Sequence, residues 1–246
     1  MLILLPPSET KRDGGIPGSV LDLDALSFPS LTKPRRTALA ELRKLSSSVA
    51  VATKALGLGP KQRFELDRNR VIRSSPVLPA IERYTGVLYD AIGVETLDAT
   101  ARSFLAANVI IHSALFGLIR ADDPVPAYRF SHDTRLTGGS LPKLWRDANA
   151  AVLEAESGLI LDLRSESYVH LGPAPATGHF LRVVTPGPDG AVRALNHFNK
   201  HGKGEFLRAL AHSGREFDTV QELLAWAVDR GVQLRLSPGG ELQLVV

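Results

Sequence analysis

The chain opens with MLILLPPSETKRDGG at residues 1–15. Its first five residues are apolar and are stopped by Pro6-Pro7, which reads as a buried strand, since proline cannot donate to a sheet ladder. The polar stretch SETKRDGG then leaves the strand's end as a loop, and α/β folds often place function on such loops. With a strand at the front, the rest of the chain can be read for what surrounds it.

Helical periodicity follows. Over 34–56, Leu39, Leu42, Leu45, Val49 and Ala52 share one face, with Pro34 near the start and Gly57 just past the end. A second helix is expected from Pro60, a third over 79–92, and a long apolar one over 96–118 at the centre of the core. Ser140 and Pro142 open another helix over 140–157. The period then changes to that of strands at 159–163 and 179–185, and PGPDG at 186–190 is a turn leading into 191–195. Helices over 203–212 and 219–230 precede a hairpin whose strands, 232–236 and 241–245, flank SPGG. The expected fold is α/β (α+β mixed): one compact domain over 1–246, a mixed sheet with surrounding helices.

Composition limits the function. The 246 residues are 44% hydrophobic, enough for a sizeable core. Charged residues make up 22% with a net charge of only +3, so anionic partners are favoured weakly. There is no cysteine, and the one methionine is Met1. Disulfides, thiolate metal sites and sulfur-based peroxide sensing are therefore excluded. No apolar run reaches the roughly 18 residues of a membrane span, and the opening lacks a basic n-region and a cleavage site, so a cytoplasmic protein is expected. The seven histidines show no metal-ligand spacing, and no metal or cofactor is expected.

Four stretches could carry chemistry. In ALGLGPKQRF, residues 55–64, Gly57 and Gly59 allow a tight turn between helices, and Lys61 and Arg63 follow at once. This is either a phosphate grip or a bare helix stop and restart. Cations in a helix's first turn cost about 0.3–1 kcal/mol each against the macrodipole, a cost that a bound anion would offset. In HFNKHGKGEFLRAL, residues 197–210, Lys200 and Lys203 surround two glycines in what reads as a loop, ahead of a helix bearing Arg208, and an anionic ligand or a solvated basic loop fits. Arg120 and Arg129 flank a proline-rich turn and could clamp a phosphate, or pair with Asp122 and Asp123. With Ser8 and Lys11 of the opening loop they make up a candidate anion-binding cleft. Asp162, Glu166 and Tyr168 follow a buried run at a strand end, and are the candidate acid or base groups.

Several short motifs recur in order along the whole chain: the strand with Pro-Pro and SETK, YTG at 84–86, SALFGLIR at 113–120, AYR at 127–129, LWRD at 144–147, SESY at 165–168, and NKHGKG at 199–204. Together they resemble the YaaA family of peroxide-stress proteins. The resemblance implies a cytosolic protein of the hydrogen-peroxide response that limits free iron and so protects DNA. It also implies a single-domain α/β fold with a helix-hairpin-helix and a positively charged cleft that bind duplex DNA, plain or with unpaired regions. Gly57 matches the hairpin glycine and Arg63 the arginine after it. Lys200, Lys203 and Arg208 match the basic residues of the late loop, while Lys11 stands one position from the usual lysine. The alternative reading is an enzyme acting on a nucleotide or nucleoside in a phosphate-binding pocket, and no motif points to a protein partner.

Overall fold

The structure is a computed structural model that describes residues 1–186, 192–194 and 196–246, with side chains described outside 186–198. In chain order, β1 (Leu2–Leu5) precedes three helices, α1 (Thr32–Leu45), α2 (Val49–Ala55) and α3 (Phe64–Arg70). Then come β2 (Leu78–Pro79), α4 (Ala80–Arg83), α5 (Val87–Ile92), α6 (Ala99–Asn108), β3 (Val109–Ser113), β4 (Gly117–Arg120) and β5 (Pro124–Val125). The second half runs α7 (Leu141–Glu154), β6 (Ile160–Asp162), α8 (Glu166–Val169), β7 (Gly178–Pro186) and β8 (Val192–Ala194). It closes with α9 (Asn196–Ser213), α10 (Val220–Asp229), β9 (Leu234–Leu236) and β10 (Leu242–Val245).

The sheet is mixed, in the order β4-β3-β1-β6-β7-β10-β9, with β8 hairpinned onto β7 and β2-β5 as a separate pair. β1 lies in the interior, parallel to β3 and to β6, with Ile3 opposite both Val109 and Leu161. Its four residues are all buried, as a strand covered on both faces requires. The opening run is thus the strand expected. The closing hairpin is also as expected, with β9 and β10 antiparallel. The turn expected at 186–190 falls almost wholly on residues outside those described, though β7 and β8 do pair antiparallel.

Four helical expectations change. The apolar stretch 96–118 is not one helix: α6 ends at Asn108 and the chain continues directly into β3. Val109-Ile110-Ile111 is β-branched and buried against β1, and the Asn108 amide turns back to donate to the Phe104 carbonyl at 3.1 Å. The stretch 34–56 divides at Ser46–Ser48 into α1 and α2. The stretch 79–92 divides at 84–86, where Gly86 stands at φ +98° before α5. Finally, the late glycine-rich segment is not a loop but the first half of α9. A Cβ on Gly204 would stand 2.3 Å from the Leu88 carbonyl oxygen, so glycine there lets α9 lie directly on α5.

The family-like motifs in the middle of the chain are largely packing devices. Gly117, at φ +67°, leaves no room for a Cβ, which would meet the Trp145 ring at 2.6 Å. The indole N–H of Trp145 donates to the Ala114 carbonyl at 2.8 Å, so SALFG and LWRD interlock.

Candidate functional site

Between β1 and β6 the strand connections part in opposite directions. The connection from β1 runs toward β3 on one side, while β6 passes on to β7 on the other. This is a topological switch point, and open α/β sheets bind ligands in the crevice beyond the carboxyl ends of such strands. A cleft of about 540 Å³ lies there, walled by residues 6–10 after β1, Leu163 and Ser165 after β6, residues 85–89, residues 130–132, and Lys200 and Lys203 of α9.

The opening loop is shaped for this position. The Thr10 hydroxyl donates to the Thr85 carbonyl at 3.1 Å and faces the Ser8 hydroxyl, also at 3.1 Å. A Cβ on Gly86 would lie 3.2 Å from the Thr10 hydroxyl, so the YTG motif admits the hydroxyl loop closely. Behind it, the fully buried guanidinium of Arg83 donates to the carbonyls of Val125, Gly14 and Pro76 at 2.9–3.0 Å and fastens the loop's far end.

Lys11 is buried behind the loop rather than open in the cleft. Its Nζ donates to the carbonyls of Ser8 and Glu9 at 2.9 and 3.1 Å and rests 4.3 Å from the ring centre of Tyr128. Burial lowers its pKa to about 7. Beneath it runs an oriented hydroxyl chain. Ser113 Oγ accepts from the backbone N–H groups of Leu115 and Phe116, both at 3.1 Å, so its own proton goes to Tyr128 at 2.6 Å. The Tyr128 proton then goes to Tyr84 at 2.7 Å. Arg129 adjoins this group, paired with Glu9 at 2.5 Å.

Lys203 is the cation inside the cleft. It is 4% exposed, its Nζ donates to the Arg164 carbonyl at 3.2 Å, and it lies 5.0 Å from the Phe180 ring centre. Burial lowers its pKa to about 8, against the opposing pull of Asp162. Lys200, one turn earlier on α9, is exposed at the rim. Tyr168 of α8 lines the same wall, with burial raising its pKa, and its ring lies 5.4 Å from that of His132.

The other candidates are placed differently. Asp162 is buried and held by Arg164, which donates to its two carboxylate oxygens at 2.8 and 2.6 Å. Arg164 in turn donates to His112 Nδ1 at 2.8 Å. That ion pair fills the core below the cleft. Glu166 is exposed and meets Arg182 at 3.2 Å. Arg120 stands at the far edge of the sheet on β4, donating to the Ala107 carbonyl at 2.9 Å, and does not join Arg129. Arg208 donates to the Ile92 carbonyl at 2.7 Å, where it caps α5 instead of facing the cleft.

At 55–64 the chain makes a helix, a turn and a helix. Gly57 is left-handed at φ +61°, and the Gln62 side chain accepts from the Gly59 N–H at 2.9 Å within a short 3-10 turn. Lys61 and Arg63 are both exposed and precede α3, whose first turn holds Glu65 and Asp67. Those acids oppose the dipole cost that the sequence assigned to the cations, so charge placement alone does not demand an anion. α3 is nonetheless tied to the cleft wall. Asn69 exchanges two hydrogen bonds with the Arg129 backbone at 2.9 and 2.8 Å, and Arg68 pairs with Asp13 of the opening loop at 2.7 Å.

Thr85, Tyr89, Ser131, His132, Ser165 and Asn199 also line the cleft, and sequence reasoning misses them. Their one visible signal is position: Thr85 lies in YTG, and Ser165 in SESY beside Glu166 and Tyr168.

An open mixed sheet with a hydroxyl-rich cleft at its switch point and two lysines on one wall defines a protein of the α/β class. Residues 1–231 match the family described as peroxide stress protein YaaA, and the chain belongs to that family. It is 44% identical to a UPF0246 protein of Corynebacterium glutamicum, with both chains covered end to end. It is 36% identical to a UPF0246 protein of Streptomyces coelicolor over 95% of this chain and 92% of that one. An uncharacterized protein of Campylobacter jejuni is 26% identical over 92% of this chain and 89% of that one. Among the described residues no helix is long and apolar enough to cross a membrane.

Proposed function

We propose that this peroxide-stress protein works in the cytoplasm on duplex DNA, with the segment from α2 to α3 acting as a helix-hairpin-helix that grips the backbone and the switch-point cleft receiving a nucleotide unit. The observation that carries this reading is the docking of α3 on the cleft wall through Asn69 and Arg68, which joins the exposed Lys61 and Arg63 to the unit that holds Lys200 and Lys203. Such contacts neutralise phosphates and read no base edges, so binding is sequence-independent and salt-sensitive. Within the peroxide response, a protein seated on damaged strand sites would limit iron-driven DNA damage by covering them.

The test is fluorescence anisotropy of labelled duplexes, plain and with an unpaired bubble, over a salt series. The expected result is log K falling linearly with log salt. The Lys61→Ala/Arg63→Ala double variant should make that slope shallower by about 0.9 for each phosphate it leaves unneutralised. Equal affinity of the double variant and the native chain would remove the hairpin as the grip.

A second reading has its own support in the volume of the cleft, about 540 Å³, which suits a free nucleotide as well as one within a strand. Thermal stabilisation by free nucleotides without duplex binding at low salt would favour it.

A further inference from the structure

The cleft holds a lysine that neither reading requires as a reactive group. Lys203 is nearly fully buried, yet it lines the cavity, and its Nζ has a single hydrogen-bond acceptor among the described residues, the Arg164 carbonyl. An ammonium that is only a phosphate contact gains from being open and fully charged. Here desolvation works the other way, which is how lysines are readied as amine nucleophiles.

We propose that Lys203 is an amine nucleophile that forms an imine with the aldehyde of a phosphate-bearing sugar held in the cleft. This deepens the reading of the cleft as a nucleotide-unit site and rests on it. The ligand class is a ring-opened base-free deoxyribose phosphate, whether free or within a strand. That sugar presents the two groups the cleft can meet, an aldehyde for Lys203 and a phosphate for the exposed Lys200 one turn away on α9.

The step balances without a cofactor. The lone pair of neutral Nζ attacks the carbonyl carbon, the C–N bond forms as the C=O π pair moves to oxygen, and one proton passes from Nζ to that oxygen to give a carbinolamine. Loss of that oxygen as water leaves the imine, and hydrolysis returns the lysine. Of the cleft hydroxyls, those of Thr10 and Ser131 already donate to the Thr85 carbonyl and the Asp133 carboxylate, which leaves Ser165 to bond the carbonyl oxygen while it gains its protons. The groups facing Nζ are Asp162 from β6, Glu166 from α8, and Arg182 and Phe180 from β7. Burial dominates over these charges and brings the pKa to about 8, so adduct formation should accelerate as pH rises from 6 through 8.

The experiment is borohydride trapping on the full chain, with hydride reducing the imine carbon to a stable secondary amine. One arm uses a labelled duplex with a single base-free site and the other uses free deoxyribose 5-phosphate. Peptide mapping locates the adduct. The expected result is one covalent adduct on Lys203, absent in Lys203→Met and in Lys203→Arg. No trapped adduct in either arm, or an adduct mapped to Lys200 or Lys11, overturns the proposal, and mapping in the native chain does not depend on any variant folding. Anisotropy of the same duplex separates the two ideas. Binding without trapping removes this inference and leaves DNA binding standing. Trapping of the free sugar phosphate without duplex binding does the reverse.

Discussion

Replacing Gly204 by Ala tests the close approach that sets α9 in place. The added Cβ would lie 2.3 Å from the Leu88 carbonyl oxygen and 2.7 Å from Ala91 Cβ, whereas ordinary contact begins near 3.4 Å. The obstruction is backbone, so no side chain can rotate aside, and α9 must move about 1 Å away from α5. Overpacking of this kind costs about 1–3 kcal/mol, and alanine's better helix propensity returns about 1 kcal/mol. With backbone as the obstacle the cost should lie at or beyond the upper end, for a net loss of about 2 kcal/mol, or roughly 4–8 °C in Tm for a chain of this size. Gly202→Ala on the same helix is the control. The atoms nearest its Cβ would be valine methyls, at 3.3, 3.4 and 3.6 Å, so stability should be unchanged or rise by up to about 1 kcal/mol. Urea and thermal unfolding of both variants decide it. A Gly204→Ala protein that melts at or above the native temperature would refute the close-approach account of that glycine.

Other expectations follow from the same geometry. Asp162→Asn removes a charge from a pair in which both partners are buried, and should cost about 3–5 kcal/mol in urea unfolding; a loss under about 1 kcal/mol would show that the pair is not the core element described. Asn69→Ala leaves the buried backbone N–H and carbonyl of Arg129 without partners, for a loss of about 2 kcal/mol or more, and should weaken duplex binding as α3 comes away from the cleft; unchanged stability would deny that anchor. Stability should rise between pH 7 and pH 9.5. Lys11 and Lys203 have folded pKa values of about 7 and 8 against an ordinary 10.5, so the unfolded chain binds more protons across that window. Lys11→Met should flatten the rise, and an unaltered pH profile would count against burial of its charge.

The sequence disclosed elements wherever a single period and clear punctuation coincided. β1 is marked by its apolar run and two prolines, and the helix expected over 219–230 is α10, where the structure adds a reciprocal cap between Thr219 and Glu222. It misled where one composition serves two structures. Residues 96–118 keep helical spacing, but the β-branched run at 109–111 follows the sheet once β1 is beside it. In α9 the glycines read as a loop because glycine disfavours helix, and the reason for Gly204, the Leu88 backbone, lies more than 110 residues earlier in the chain. The cleft was half legible for the same reason. Ser8, Lys200, Lys203 and Tyr168 were visible as chemistry, but their convergence depends on β1 and β6 meeting, which no local pattern announces. Arg120 shows the converse: it shares a motif with Ser113, yet strand direction carries it to the other end of the sheet from Arg129.

The place of β1 at the sheet's interior also sets a timetable. During synthesis β1 cannot pair with β3 until about residue 113 is free, nor with β6 until about residue 162 is free. At 5–20 residues per second, both edges of this apolar strand stay open for roughly 6–23 s and the second for roughly 8–32 s. Leu2–Leu5 is therefore a ready ligand for nascent-chain chaperones, and interrupted synthesis before residue 162 yields an aggregation-prone fragment. The same four residues that seat the cleft govern how safely the protein can be made during stress.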